Sequence, residues 1–278
     1  MSEGKKEIIN GNCFDVLKTI EDASIDLILT DPPYNTTDCK WDIVIDYKKL
    51  WEEWLRVSKP TGSIVFTCQF PVLVDLVYDG MKYYRHRWIW AKDKSANFMV
   101  VSGQPLRYTE DIMVFSKRGH YKPANSKIDN AIYNPQTEVD IRRPKNPKHQ
   151  PMKNIGASIG EIRKKQTEYL HKSNPENDGK IRFPNELLYF PVPFKSERFH
   201  PTQKPIELFE YLIKTYTNEN MLVLDCFSGS GTTALAAMKT KRQFICIEKE
   251  QKYYDIILKR VADFNKNFEQ QTLFGNEM

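Results

Sequence analysis

At the end of an apolar run, Asp31-Pro32-Pro33-Tyr34 combines an acid, two prolines and an aromatic ring. Neither proline has an N–H, so the turn they stiffen offers carbonyl acceptors without donors. A planar heterocycle with an exocyclic amino group suits this set. Its two N–H groups meet the Asp31 carboxylate and the Pro32 carbonyl, and Tyr34 stacks on the ring. Held that way, the nitrogen lone pair leaves conjugation and points at an electrophile. The plainer alternative is a Pro-Pro turn in which Asp31 caps the next segment.

A second set lies far along the chain, in "LDCFSGSGTT" at 224–233. Gly229 and Gly231 allow a tight turn and close approach of a ligand to the backbone, and the following helix offers free N–H groups. Asp225, just before the turn, suits a ligand ammonium. Glu248, at the end of the next apolar run, suits a pair of ribose hydroxyls. Gly229-Ser230-Gly231-Thr232-Thr233-Ala234 also satisfies the G-x-G-x-x-G/A pattern of dinucleotide sites, so on the loop alone a nicotinamide or flavin enzyme stays open. No dehydrogenase constellation is visible elsewhere, and a tight turn with nothing bound is the remaining alternative.

Both sets need a sheet to present them. Short apolar runs read as strands at 7–10, 25–30, 62–68, 85–91, 110–116, 221–225 and 243–248, and helical periodicity fits 46–58, 70–80, 205–217, 231–240 and 250–264. The alternation predicts an α/β fold with a mostly parallel, seven-stranded sheet and helices on both faces. "RHRWIWAK" and "EDIMVFSK" have only a loop between them and so pair antiparallel, giving one reversed strand. In such sheets the carboxyl ends of the strands line the ligand crevice, which places Asp31 and the glycine turn together.

The 278 residues, 40% of them hydrophobic, supply an ordinary core. Five cysteines without a C-x-x-C pair and five histidines without ligand spacing predict neither a disulfide framework nor a metal site. The opening residues lack a signal-peptide pattern and no apolar run is long enough for a membrane span, so a cytoplasmic, nucleoid-associated protein is expected. The net charge of +5 is unevenly spread: residues 118–199 hold 16 Lys and Arg against 9 Asp and Glu, with 9 of the 16 prolines. That segment reads as an irregular surface module facing phosphates, with Arg142, Arg143, Lys145 and Lys148 as candidate contacts and a solvated basic loop as the alternative.

"DPPY", "HPTQKP" at 200–205 and "LDCFSGSGTT" together resemble the amino-group DNA methyltransferases, which methylate N6 of adenine or N4 of cytosine from S-adenosylmethionine. Their order resembles the circularly permuted β group. The resemblance implies an S-adenosylmethionine-dependent methyltransferase (Rossmann-like) fold, with 1–117 and 200–264 as the catalytic domain, 118–199 as the target-recognition region and 265–278 as a tail. It implies that Asp31, Pro32, Pro33 and Tyr34 form the catalytic motif. Asn12, Cys13 and Phe14 would lie at the cofactor adenine, Thr202 and Lys204 at its methionine carboxylate. Asp225, Phe227, Ser228, Gly229, Ser230, Gly231 and Thr232, with Glu248 on the ribose, would cradle the rest; Asp31 borders both groups. Asn12 stands where the family commonly has Asp. Asp31 favours adenine, since the cytosine-N4 members tend to carry Ser there.

The partner implied is double-stranded DNA with the target base flipped out, single-stranded DNA being the alternative. A cognate restriction enzyme and a homodimer are compatible with the sequence. Gln270 to Phe274, "QQTLF", resembles the pentapeptides that dock in sliding clamps, against the alternative of a frayed end packed on the domain.

Overall fold

The computed structural model describes residues 4–34, 45–95, 101–118, 131–136 and 184–274. Arg142, Arg143, Lys145 and Lys148 lie outside them. The chain divides into two compact units, 1–134 with 186–278, and 135–185. All that follows concerns the first.

Its strands are β1 (Lys6–Asn10), β2 (Ile25–Thr30), β3 (Ser58–Cys68), β4 (Tyr84–Ala91), β5 (Thr109–Ser116), β6 (Leu187–Tyr189), β7 (Leu222–Asp225) and β8 (Gln243–Glu248), in the sheet order β1-β8-β7-β2-β3-β5-β4-β6. The helices are α1 (Cys13–Leu17), α2 (Tyr47–Val57), α3 (Val72–Gly80), α4 (Ile206–Tyr216), α5 (Thr232–Lys239) and α6 (Gln251–Phe274). β5 runs antiparallel to both β3 and β4 and is the reversed strand expected. The other pairings are parallel.

Strand residues alternate between two layers, as the two-residue pleat requires. Ile28, Ile64, Phe66, Phe115 and Leu224 pack with Leu17, Leu50, Trp51, Trp54 and Leu76, on the side of α1 to α3. Leu27, Leu29, Val65, Val114 and Val223 pack with Leu208, Leu212, Ala236 and Ile257, on the side of α4 to α6. All six residues of β2 are buried, as suits a strand covered on both faces. In α2 the buried side chains are Leu50, Trp51, Trp54 and Val57, one helical face, and the Asp46 carboxylate accepts the Lys49 N–H at 3.1 Å as its cap. Gly80 ends α3 where a Cβ would come within 2.1 Å of the Trp51 ring, so close approach excludes any side chain there.

Four boundaries differ from those read in the sequence; the first is that β3 begins at Ser58, four residues before the 62–68 read for it. β6 adds an eighth strand: Leu187 pairs with Ile89, and Leu188 is buried in the core, so 186–199 belongs with the sheet rather than with the segment 118–199. Three residues are too few for a periodic signal. α1 is a single short turn capped by Asn12, for the same reason unread. α6 continues past 264 to Phe274, so the segment set apart as a tail, with Gln270 to Phe274, begins as helix.

Beneath α4, the Tyr216 hydroxyl accepts the Trp88 indole N–H at 2.6 Å and lies 2.7 Å from His86 Nε2. Tyr216→Phe leaves that buried indole N–H without its partner and is expected to cost about 1–3 kcal/mol. A urea-unfolding midpoint checks it.

Candidate functional site

A cavity of about 700 Å³ opens at the carboxyl ends of β2 and β7. The two strands are parallel neighbours, with Leu27 opposite Val223 and Ile28 opposite Leu224. Asp31 and Asp225 therefore leave the sheet side by side. Of the residues singled out in the sequence, those of "DPPY" line the cavity, as do Asn12, Cys13 and Phe14 of the α1 start and Thr202 and Lys204 of "HPTQKP". So do Asp225, Phe227, Ser228, Gly229, Ser230, Thr232 and Glu248. Gly231 shapes the turn from behind.

The turn after β7 is built around the Asp225 carboxylate. Its Oδ1 accepts the Thr30 hydroxyl at 2.7 Å and the Phe227 N–H at 3.1 Å, and its Oδ2 accepts the Thr233 hydroxyl. Burial pushes this carboxyl up to about 6, against the lowering effect of those donors. Gly229 and Gly231 both adopt positive φ, 50° and 81°. At Gly231 a Cβ would also stand 2.8 Å from Ile257 Cγ2, so two independent constraints demand glycine. The Gly229 N–H donates to Glu248 Oε2 at 2.7 Å, and the Glu250 N–H to Oε1 at 2.8 Å. Burial raises the Glu248 carboxyl to about 7, and its remaining lone pairs border the cavity.

On the other wall, Asp31 is held from three directions. Oδ1 accepts the Tyr34 hydroxyl at 2.6 Å and the Thr67 hydroxyl, and Oδ2 faces the Lys204 ammonium at 2.7 Å. Lys204 Nζ also lies 2.9 Å from Glu110 Oε1, and Lys92 Nζ lies 2.6 Å from Glu110 Oε2. Burial alone would push the Glu110 carboxyl up; the Lys204 and Lys92 ammoniums bring it down to about 2. For Lys204 burial opposes the charge, and Asp31 and Glu110 more than compensate, raising its pKa. Tyr34 is pushed up by burial and by the Asp31 and Glu110 carboxylates, so it stays a neutral donor.

Several assigned side chains are already engaged. Asn12 Oδ1 caps α1 by accepting the Phe14 N–H at 2.9 Å, and the Thr202 hydroxyl lies 3.1 Å from His200 Nδ1. Burial raises the Cys13 thiol to about 12, so it is no nucleophile. Lys204, read as a partner for a ligand carboxylate, sits between two carboxylates of the chain. Glu110, Lys92 and Thr67 were not singled out. The available signal was Glu110 itself, an acid within the strand run "EDIMVFS". Among the described residues no cluster of His, Cys, Asp or Glu could hold a metal ion, and no helix is long and apolar enough to cross a membrane.

A sequence model of the N6/N4 family described as DNA methylase matches residues 25–259. The type II methyltransferase M1.MboII of Moraxella bovis is 31% identical over 87% of this chain and 91% of its own. Among solved structures, an M1.HpyAVI–SAM complex aligns over 92% of this chain and 98% of its own, at 21% identity and a TM-score of 0.57. The PvuII DNA methyltransferase described as cytosine-N4-specific aligns over 91% and 85%, at 16% identity and a TM-score of 0.58. At these identities the structures speak for the fold.

The two glycines of the turn differ in what a methyl would meet. At Gly229 an added Cβ would stand 3.7 Å from His200, an ordinary contact, leaving backbone strain of about 1 kcal/mol. At Gly231 overpacking against Ile257 adds about 1–3 kcal/mol to that strain. Gly231→Ala is therefore expected to lower the unfolding midpoint clearly more than Gly229→Ala, measured side by side in urea.

Proposed function

This chain belongs to the DNA methylase family, and from that premise we propose that it transfers a methyl group from S-adenosylmethionine to the exocyclic N6 of adenine in DNA. The observation that carries the reading is Asp31, an acid fixed at the cavity wall by Tyr34, Thr67 and Lys204, with the Pro32 carbonyl following it. Adenine is favoured over cytosine because the first motif position is Asp rather than Ser.

The residues present fit the cofactor. The cavity volume is in the range of small-molecule sites. Glu248 keeps acceptor positions for two ribose hydroxyls after its two backbone bonds. The Gly229 backbone has no side chain between it and the cavity, and Asp225 places negative charge at the turn for the ligand's ammonium. When bound, S-adenosylmethionine supplies a methyl group activated by its sulfonium. The chain's part is alignment, polarisation of the amine and exclusion of water. Asp31 and the Pro32 carbonyl would accept the two N–H bonds, which holds the nitrogen lone pair out of conjugation and turned toward the activated methyl group. The surplus proton on nitrogen then passes to Asp31 or water. No covalent enzyme adduct is involved, which agrees with the raised pKa values of the Cys13 and Cys68 thiols. The target base must leave the duplex to reach this depth, and the Tyr34 ring is the face that receives it.

Asp31→Ala is expected to lower methyl transfer at least about 10³-fold, with the affinity for S-adenosylhomocysteine changed less than about threefold. Tritiated-methyl incorporation into unmethylated genomic DNA, with calorimetry on the same protein, checks both. Normal turnover by the variant would sink the reading. Modification-sensitive sequencing of DNA from an unmethylated expression host identifies the base.

Glu248 gives a pH test. Its carboxyl is raised to about 7, and ribose hydroxyls bind the ionised form better. Binding should therefore strengthen with rising pH, by about tenfold in S-adenosylhomocysteine affinity between pH 6 and pH 8. Glu248→Gln is expected to bind more weakly at pH 8 and to flatten most of this dependence, leaving at its acid end the contribution of Asp225, raised to about 6.

A further inference from the structure

The cavity wall carries more buried charge than the methyl transfer just described uses. Lys92, Glu110, Lys204 and Asp31 form an unbroken chain of contacts, at 2.6, 2.9 and 2.7 Å, with side-chain exposures of 6%, 3%, 7% and 20%. Each member comes from a different part of the sequence: the end of β4, β5, the "HPTQKP" loop and the end of β2. Two acids and two bases balance, so the group carries no net charge into the interior. Asp31 is its only member within "DPPY".

A carboxylate has about four lone-pair positions. On Asp31, the Tyr34 and Thr67 hydroxyls take those of Oδ1, and Lys204 takes one on Oδ2. The position left for an incoming amine is the second on Oδ2, beside the ammonium. Where it points depends on where Lys204 stands, and a lysine side chain is flexible. Lys204 is pinned by Glu110 Oε1. The other oxygen of Glu110 is held in turn by Lys92 and by the Gln69 amide at 3.3 Å. Glu110 thus touches both ammoniums. Its side chain is only 3% exposed, and both its oxygens are already engaged by cations of the chain.

We propose that Glu110 is a positioning residue for methyl transfer: seated between Lys92 and Lys204, it fixes Lys204 against Asp31 Oδ2 and so sets the acceptor position offered to the target amine. This rests on the reading of Asp31 as the amine acceptor. A purely structural lock between strands is better served by apolar packing, since replacing a buried ion pair by apolar residues is often neutral or stabilising. Four charges at a cavity wall, ending on the one carboxylate that faces the reaction, are explained by orientation. Lys204 on this account serves the target amine, not the methionine carboxylate.

The test is Glu110→Gln, which keeps size and an amide oxygen while removing the charge. Single-turnover methyl transfer into unmethylated genomic DNA is expected to slow about 100-fold, the scale of an ångström-level misplacement. The KM for DNA and the S-adenosylhomocysteine affinity are expected to stay within about threefold. A normal single-turnover rate overturns the proposal. So does a loss of cofactor affinity in parallel with rate, which would make Glu110 a scaffold residue. If Glu110→Gln does not fold, Lys92→Met is read instead, because Lys92 touches Glu110 and neither Lys204 nor Asp31. A fall of about tenfold in rate with unchanged cofactor affinity supports the relay, and an unchanged rate overturns it. Asp31→Ala run in parallel separates the two readings. Turnover by that variant removes the amine acceptor itself, whereas normal Glu110→Gln beside inactive Asp31→Ala removes only the role of Glu110.

Discussion

The Thr30 hydroxyl, the last group of β2, donates to the Asp225 carboxylate, the last group of β7, at 2.7 Å across a buried strand boundary. Sheet pairing alone brings the two strands into register over two residue pairs. This bond extends the register past the hydrogen-bonded ladder to the point where both chains turn away. Everything at the site is set out from there. Asp31 follows Thr30 directly. Asp225 uses its other oxygen on Thr233 at the start of α5, and so closes the glycine turn onto the same point. The carboxylate that shapes the glycine turn is thereby bonded to the residue preceding Asp31.

Fixing two acids near one another at the mouth of a cavity is costly unless each is compensated, and the two are compensated differently. Asp225 receives only neutral donors, and its pKa rises to about 6. Asp31 receives an ammonium as well as hydroxyls, and that ammonium is shared with Glu110. The contrast divides the cavity into a half whose acids, Asp225 and Glu248, titrate near neutrality and a half built from fixed opposite charges. A ligand ammonium and ribose hydroxyls suit the first half. An uncharged amine that must lose a proton suits the second.

How much of this the sequence showed depends on the length of each signal. β2 and β8 run as read, because six-residue apolar segments bounded by polar turns leave little choice. The reversed strand was legible because β4 and β5 are joined by too short a connection for a crossover. Asp31, Asp225, Glu248 and the glycines were legible because strand ends in an open α/β sheet have a known use. Glu110 and Lys92 were not. A charged residue within a strand run reads as its solvent-facing side, and partners outside that run, Lys92, Gln69 and Lys204 of the "HPTQKP" loop, cover Glu110 and turn it into a buried ion-pair member. β6 escaped notice for a related reason: three residues carry no period, and their strand character comes from the edge of β4 that they complete.

The same dependence on sheet adjacency explains why the order of the motifs along the chain is free to vary. β2, α2 and β3 form one strand-helix-strand unit, and β7, α5 and β8 another. Each unit makes its own turn at the carboxyl end of its first strand. The units meet through the β2–β7 pairing and the Thr30–Asp225 bond, neither of which requires a particular covalent connection. Residues 135–185 can therefore be placed in the chain between the two halves as a separate compact unit without interrupting either. What such a rearrangement must preserve is the loop that brings Lys204 to Asp31 and Glu110. That loop leads into α4, whose Leu208, Leu212 and Tyr216 are buried with β2 and β7 residues in one core cluster. The loop's position is therefore inherited from the packing of a helix, and the ammonium beside the Asp31 carboxylate is held in place by the hydrophobic core.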